Sequence, residues 1–131
     1  MQNRFDTMGK QKKILIIDDE ETIVDILKRR FERLGFTVFS EYDGATAIEV
    51  LKKEMVDLVL CDVKMPNGIS GSDVLKAAQI HNPTSQFVAM SGHLNSHKSV
   101  KSIMKDGASV FIKKPFPSLT EVTQQIANLV A

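Results

Sequence analysis

The sequence predicts a doubly wound α/β domain, a five-stranded parallel sheet with helices on both faces. Three observations carry that expectation. Short apolar runs of strand length alternate strictly with amphipathic helical stretches, five of each. The inner runs are apolar throughout, as in strands covered on both faces. Four runs also end on polar residues of complementary chemistry: 14–17 on Asp18, Asp19 and Glu20, 58–61 on Asp62, 87–90 on Ser91, and 110–112 on Lys113, Lys114 and Pro115. Parallel strands linked by right-handed crossovers put all four endings on one sheet edge, where open α/β sheets build their sites.

Residues 1–12 are polar and aperiodic, and read as a disordered lead or linker before a single domain over 13–131. The first helix follows Asp19, with Ile23, Ile26, Leu27, Phe31 and Leu34 on one stripe and Gly35 as C-cap. Glu20 and Glu21 near its start, and Arg29, Arg30 and Arg33 near its end, suit the helix dipole. Residues 37–42 alternate more than the other runs, as an edge strand does. Asp43-Gly44 opens a second helix carrying Ala47, Ile48 and Leu51, and 57–62 is a buried strand bounded by carboxylates. A third helix starts near Ser70 or Ser72, carries Val74, Leu75 and Ala78, and stops before Asn82-Pro83. Strand 86–90 leads to a polar helix over about 96–105, ended by Asp106-Gly107. Its apolar anchors Val100, Ile103 and Met104 either pack on the sheet or lie at an interface. Strand 109–112 follows. Ser118 N-caps the last helix, Glu121 completes a capping-box pattern, and Leu119, Val122, Ile126 and Leu129 form its buried stripe.

Composition narrows the function classes. The 131 residues carry 17 Lys and Arg against 16 Asp and Glu, a formal net charge of +1. That balance argues against a dedicated nucleic-acid binder. No apolar run has the length of a membrane span, and no secretory signal opens the chain. The lone Cys61 can form no internal disulfide, which fits a reducing compartment, and its apolar surroundings predict a buried thiol. A cytoplasmic protein is expected.

Asp18, Asp19 and Asp62 would repel one another at one edge, and a cation resolves such repulsion. All-oxygen ligands suit Mg²⁺ or Mn²⁺. His81, His93 and His97 are scattered in polar stretches and offer no zinc site. Three carboxylates, a divalent cation and one lysine sum to a neutral pocket that a phosphoryl group can enter. Lys114 would balance its oxygens and Ser91 would give it a hydroxyl hydrogen bond. With no Ser–His or Cys–His pair, the nucleophile left is a carboxylate, which can form an acyl phosphate. Taken singly, Asp18 reads as a helix cap, Lys114-Pro115 as a turn, and Ser91-Gly92 as turn chemistry. The coincidence of the four endings favours the functional reading.

From Lys13 to Ala131 the chain resembles the response-regulator receiver domain of two-component signalling, including its chemotaxis-regulator-like members. The resemblance rests on Ile17-Asp18-Asp19-Glu20, on Asp62-Val63-Lys64-Met65-Pro66, on Ser91, and on Lys114-Pro115-Phe116. Ser91 and Lys114 follow Asp62 by 29 and 52 residues. The resemblance implies a flavodoxin-like three-layer fold with strand order 2-1-3-4-5. It implies Asp62 as phosphoacceptor, with Lys114 and Ser91 on the phosphoryl group. Asp19, Asp62, the Lys64 carbonyl and, through water, Asp18 would hold Mg²⁺ or Mn²⁺. Lys114 matches the family lysine, rather than Lys113, because it precedes Pro115, and the family carries that bond cis. Ser91 and Phe111 would form the switch that alters the helix 4, strand 5 and helix 5 surface. The implied phosphodonor is a sensor histidine kinase or a histidine phosphotransfer protein. The implied output is a downstream partner or an effector domain lost from this chain, or a dimer through that same surface, without direct contact to nucleic acid or membrane.

Three features depart from the commonest pattern or refine it. Four residues separate Pro66 from Gly71 where three is commoner, so the loop after Asp62 is one residue longer. The switch aromatic is Phe111, which has no hydroxyl. Lys64 and His93 occupy the positions that tune dephosphorylation, and two basic residues there predict slow self-dephosphorylation unless both simply face solvent. Two other functions compete. A Mg²⁺-dependent phosphatase with an aspartyl nucleophile would need a second carboxylate where Lys64 stands, whereas a pseudo-receiver would have lost an acidic or lysine position, and none is lost. A nucleotide-binding Rossmann domain would need a glycine-rich fingerprint after the first strand, which is absent. The expectation is therefore a switch that is not an enzyme beyond its own phosphorylation and slow dephosphorylation.

Overall fold

The computed structural model describes residues 11–65, 68–92 and 97–131. Five strands and five helices alternate: β1 (Lys13–Ile17), α1 (Glu21–Arg33), β2 (Thr37–Glu41), α2 (Gly44–Lys53), β3 (Leu58–Asp62), α3 (Gly71–His81), β4 (Gln86–Ser91), α4 (His97–Lys105), β5 (Val110–Lys113) and α5 (Leu119–Asn128). All strand pairs are parallel, in the order β2-β1-β3-β4-β5.

Strand alternation divides the core into two layers. Leu15, Ile17, Val59, Cys61, Phe87 and Ala89 face α2, α3 and α4, which contribute Leu51, Val74, Leu75 and Ile103. Ile14, Ile16, Leu58, Leu60, Val88 and Met90 face α1 and α5, which contribute Leu27, Phe31, Val122 and Ile126. The central β3 is buried at every position. The edge strand β2 is half-buried at every position instead of alternating, because its outer flank has no neighbouring strand.

Two packing expectations need correction. At about 100° of turn per residue, the stripe centred on Leu27 and Phe31 includes Val24, which is fully buried, and leaves Ile26 44% exposed. Leu129 is the C-cap of α5 and is 36% exposed, while Thr123 takes a core position. Thr123 tolerates burial because its hydroxyl donates to the Leu119 carbonyl at 2.8 Å. Among the anchors of α4, Ile103 is fully buried and Met104 packs on the core. Three helix N-caps follow their sequences, but among the described residues the Glu121 side chain gives no return bond to complete a box at Ser118. Asp43 accepts the Thr46 N–H, Ser118 accepts the Glu121 N–H, and Ser70 with Asp73 forms a complete capping box.

Candidate functional site

The site follows from register. Ile17 pairs with Cys61, Asp62 with Met90, and Ser91 with Lys113. The carboxyl ends of β1, β3, β4 and β5 are therefore level, and the polar residues that end them meet.

Asp62 closes β3 and is 2% exposed, and Asp18 is fully buried beside it. Asp19 is exposed at the rim. Carboxylate oxygens of Asp18, Asp19 and Asp62 all lie within 4.8 Å of one another. Lys114 is buried among them: its Nζ donates to Asp18 Oδ2 at 2.8 Å and to Asp62 Oδ2 at 3.0 Å, and lies 3.5 Å from Glu20 Oε1. The Glu20 N–H donates to Asp18 Oδ1 at 2.9 Å, and the Lys64 N–H reaches Asp62 Oδ1 at 3.3 Å. The Lys64 side chain is exposed.

Ser91 ends β4 and is buried. Its carbonyl accepts the Lys114 N–H at 2.9 Å, which ties the serine and lysine strand ends together. The peptide bond from Lys114 to Pro115 is cis. Lys113 is exposed and, among the described residues, forms no ion pair with the acidic group. Phe111 packs on the core layer shared by Ala89 and Ile103, and strand alternation puts it on the same face of the sheet as Ser91. His93 lies outside the described residues.

The electrostatics are unbalanced. Burial pushes the Asp18 carboxyl up to about 6, against the opposing hydrogen bonds from Lys114 and the Glu20 N–H. Burial also raises Asp62, again against Lys114. Burial alone would discharge Lys114, but its hydrogen bonds to Asp18 and Asp62 outweigh that effect and hold the ammonium above the usual lysine range. One buried ammonium faces three carboxylates. The excess charge and the all-oxygen donors fit a hard divalent cation of the Mg²⁺ or Mn²⁺ kind. A nucleophilic carboxylate, a fixed cation and such a donor set are the parts of a phosphoryl-transfer site.

Two features of the site were missed in the sequence. Glu20 reaches Lys114 with a side chain that is 61% exposed, and its place beside Asp18 and Asp19 is the signal that could have found it. A Cβ at Gly71 would lie 2.8 Å from the Asp62 carbonyl oxygen and 2.9 Å from Val63 Cα. Only glycine lets the first turn of α3 approach the exit of β3 so closely. Cys61 stays a core thiol as expected: it is fully buried, its Sγ lies 3.2 Å from the Asp62 carbonyl, and burial followed by the nearby Asp62 and Asp18 charges pushes it well up.

Comparison with known proteins follows the same lines. The family profile described as response regulator receiver domain matches residues 14–127. A response regulator receiver domain protein of Clostridium thermocellum is 28% identical, with a TM-score of 0.80, over 91% of this chain and 94% of its own. A response regulator of Burkholderia pseudomallei, solved with a phosphorylated aspartic acid, calcium ion and citrate, is 24% identical with a TM-score of 0.78, over 92% of this chain and 71% of its own. TrrA of Thermotoga maritima, solved in complex with Mg²⁺ and BeF, is 24% identical with a TM-score of 0.76, over 91% of this chain and 99% of its own.

Proposed function

This chain belongs to the response regulator receiver domain family, and we propose that it is a phosphoacceptor switch that takes a phosphoryl group on Asp62. The observation that carries the reading is the Asp62 carboxylate itself, buried at a strand end with Lys114 at 3.0 Å and two further carboxylates beside it. An Asp62 oxygen bonds to phosphorus as the phosphorus–nitrogen bond of a donor phosphohistidine breaks, and the freed imidazole takes a proton. Lys114 offsets charge on the phosphoryl oxygens, and the Ser91 hydroxyl donates to one of them. Asp18, Asp19, Asp62 and the Lys64 carbonyl would hold Mg²⁺, or Mn²⁺, which would neutralise the carboxylates and the incoming group. The solved relatives carrying a phosphorylated aspartic acid and Mg²⁺ support this reading.

A phosphorylated histidine kinase or phosphotransfer protein is the proposed donor. Ile23, Ile26, Leu27, Pro115, Phe116 and Leu119 line an apolar recess of about 250 Å³ that reaches Lys114. Such a recess gives a protein donor a foothold next to the acceptor. Phosphorylation would draw Ser91 inward, and Phe111 would follow on the same face. The surface of α4, β5 and α5 would then change for a downstream partner, an effector domain or a second copy. No described helix is long and apolar enough to cross a membrane, and the cytoplasm is the proposed location.

Incubation with Mg²⁺ and a small acyl phosphate is expected to add about 80 Da, one phosphoryl group, to the wild type and nothing to Asp62→Ala. An adduct that survives the substitution, or no adduct at all, overturns the reading. Catalytic turnover of the donor without an adduct would point to a phosphatase. The exposed Lys64 matches the solvent-facing alternative, and an adduct half-life of seconds or less with Mg²⁺ would bear that out.

A further inference from the structure

We propose that the outward face of α4, with the groove between α4 and the start of α3, is a docking surface for an acidic segment of a protein partner. The inference deepens the receiver reading, because the groove begins at Val63 and Lys64, directly after the phosphoacceptor.

Lys98, Lys101 and Lys105 recur at spacings of three and four and are all exposed, so they form one stripe along the helix. Ile103 lies on the opposite side and is fully buried. The helix carries no acidic residue. Four lysines stand against one aspartate between residues 97 and 113, in a chain whose net charge is only +1. Some surface lysines elsewhere find carboxylates: Lys12 pairs with Asp57, Lys13 with Glu54, and Lys52 with Glu49. Among the described residues, Lys98, Lys101 and Lys105 pair with none.

The flank of the stripe is a built groove of about 500 Å³. Ser99 and Ser102 form one wall, and Ser70, Ser72 and Lys64 form the other. One turn beyond Ser72, Lys76 adds an exposed cation. Gln79 then ties α3 to the end of α4 by donating to the Asp106 carbonyl at 2.7 Å. Asp73 is engaged in the α3 capping box, where it accepts the Ser70 N–H at 2.9 Å. Hydroxyls and unpaired ammonium groups therefore line the surface, and side-chain carboxylates complement both.

A protein segment fits better than other polyanions. The stripe spans eight residues, about 10 Å of helix, which matches two turns of a partner helix. Its described lining has no aromatic side chain for base stacking and no arginine for phosphate forks. The α4 stripe itself also presents no exposed large apolar side chain of the kind an interfacial membrane helix inserts.

The test uses the full chain and a fluorescein-labelled helical peptide with glutamate at every third or fourth position. Binding is expected at low salt and should weaken as salt rises. The triple variant Lys98→Gln, Lys101→Gln, Lys105→Gln should lose affinity about tenfold. A charge-matched control, Arg29→Gln, Lys52→Gln, Lys53→Gln, should bind as wild type. No binding by the wild type, equal losses in both triples, or tighter binding to duplex DNA or to phosphatidylserine vesicles overturns the proposal. The adduct at Asp62, measured on the same samples, separates the two readings. An adduct without peptide binding sinks this inference alone, and peptide binding without an adduct sinks the switch and leaves the surface standing.

Discussion

The two ends of the sheet both bury polar side chains, but in opposite ways. At the end where the strands begin, Asn82 is 1% exposed and its side chain is fully used. Its Oδ1 accepts the Val56 N–H at 2.8 Å, and its Nδ2 donates to the Leu51 and Glu54 carbonyls at 2.9 and 3.2 Å. One neutral amide thereby completes the end of α2 and the entry to β3. At the end where the strands finish, Asp18 and Asp62 are equally buried but share one ammonium, and burial raises both carboxyls. The first arrangement is complete without a ligand. The second becomes favourable when a cation or phosphoryl chemistry relieves it. A polar network closed by the chain's own atoms adds stability, and one left charged marks a site.

Asn82→Ala should break the complete end. Removing the amide leaves one N–H and two carbonyls short of partners and should cost about 3 kcal/mol, read as a lower urea midpoint. Folded protein should still take the Asp62 adduct with unchanged Mg²⁺ affinity. If Mg²⁺ affinity fell with stability, the two ends would be coupled and the contrast between them would fail. Gly71→Ala should act at the other end. Its Cβ would press on the Asp62 carbonyl and Val63, with a stability cost of about 2 kcal/mol. Because the clash is at the exit of β3, Mg²⁺ affinity by calorimetry should fall as well. Lost stability with unchanged affinity would mean that α3 yields and Asp62 stays in place.

The same contrast explains what was legible in the sequence. Asp18, Asp62, Ser91 and Lys114 could be read because each ends an apolar run, and parallel strands bring run ends together whatever the loops do. Asn82 read only as a helix stop before Pro83, since nothing local says that its amide turns inward to meet α2. Gly71 read as part of a motif, while its closeness to Asp62 depends on the path of α3. Ile26 fell within an apolar stripe but faces the recess beside Phe116, a consequence of where α1 meets the loop before α5. Local periodicity reports which residues share a face and leaves open how far round that face the neighbour extends.

The smallest expected effect is the most diagnostic, because it should reverse sign with Mg²⁺. The Asp18 carboxyl rises from 3.8 to about 6 on folding. A raised carboxyl contributes stability that is fully present below about pH 4 and is lost as pH climbs through 6. Without Mg²⁺, the urea midpoint should therefore fall between pH 4 and 6 through this group. Asp18→Asn should remove that component and stabilise the metal-free protein at neutral pH by about 1 kcal/mol, less than the full shift because Lys114 loses a charged partner. With saturating Mg²⁺ the order should invert. The cation competes with the proton on Asp18, so its affinity should fall about tenfold per pH unit below 6. The wild type should then gain more stability at pH 7.5 than at pH 5, and Asp18→Asn should gain less than the wild type at both. Identical Mg²⁺ stabilisation of the two proteins across that range would remove Asp18 from the metal site and leave its buried charge to Lys114 alone.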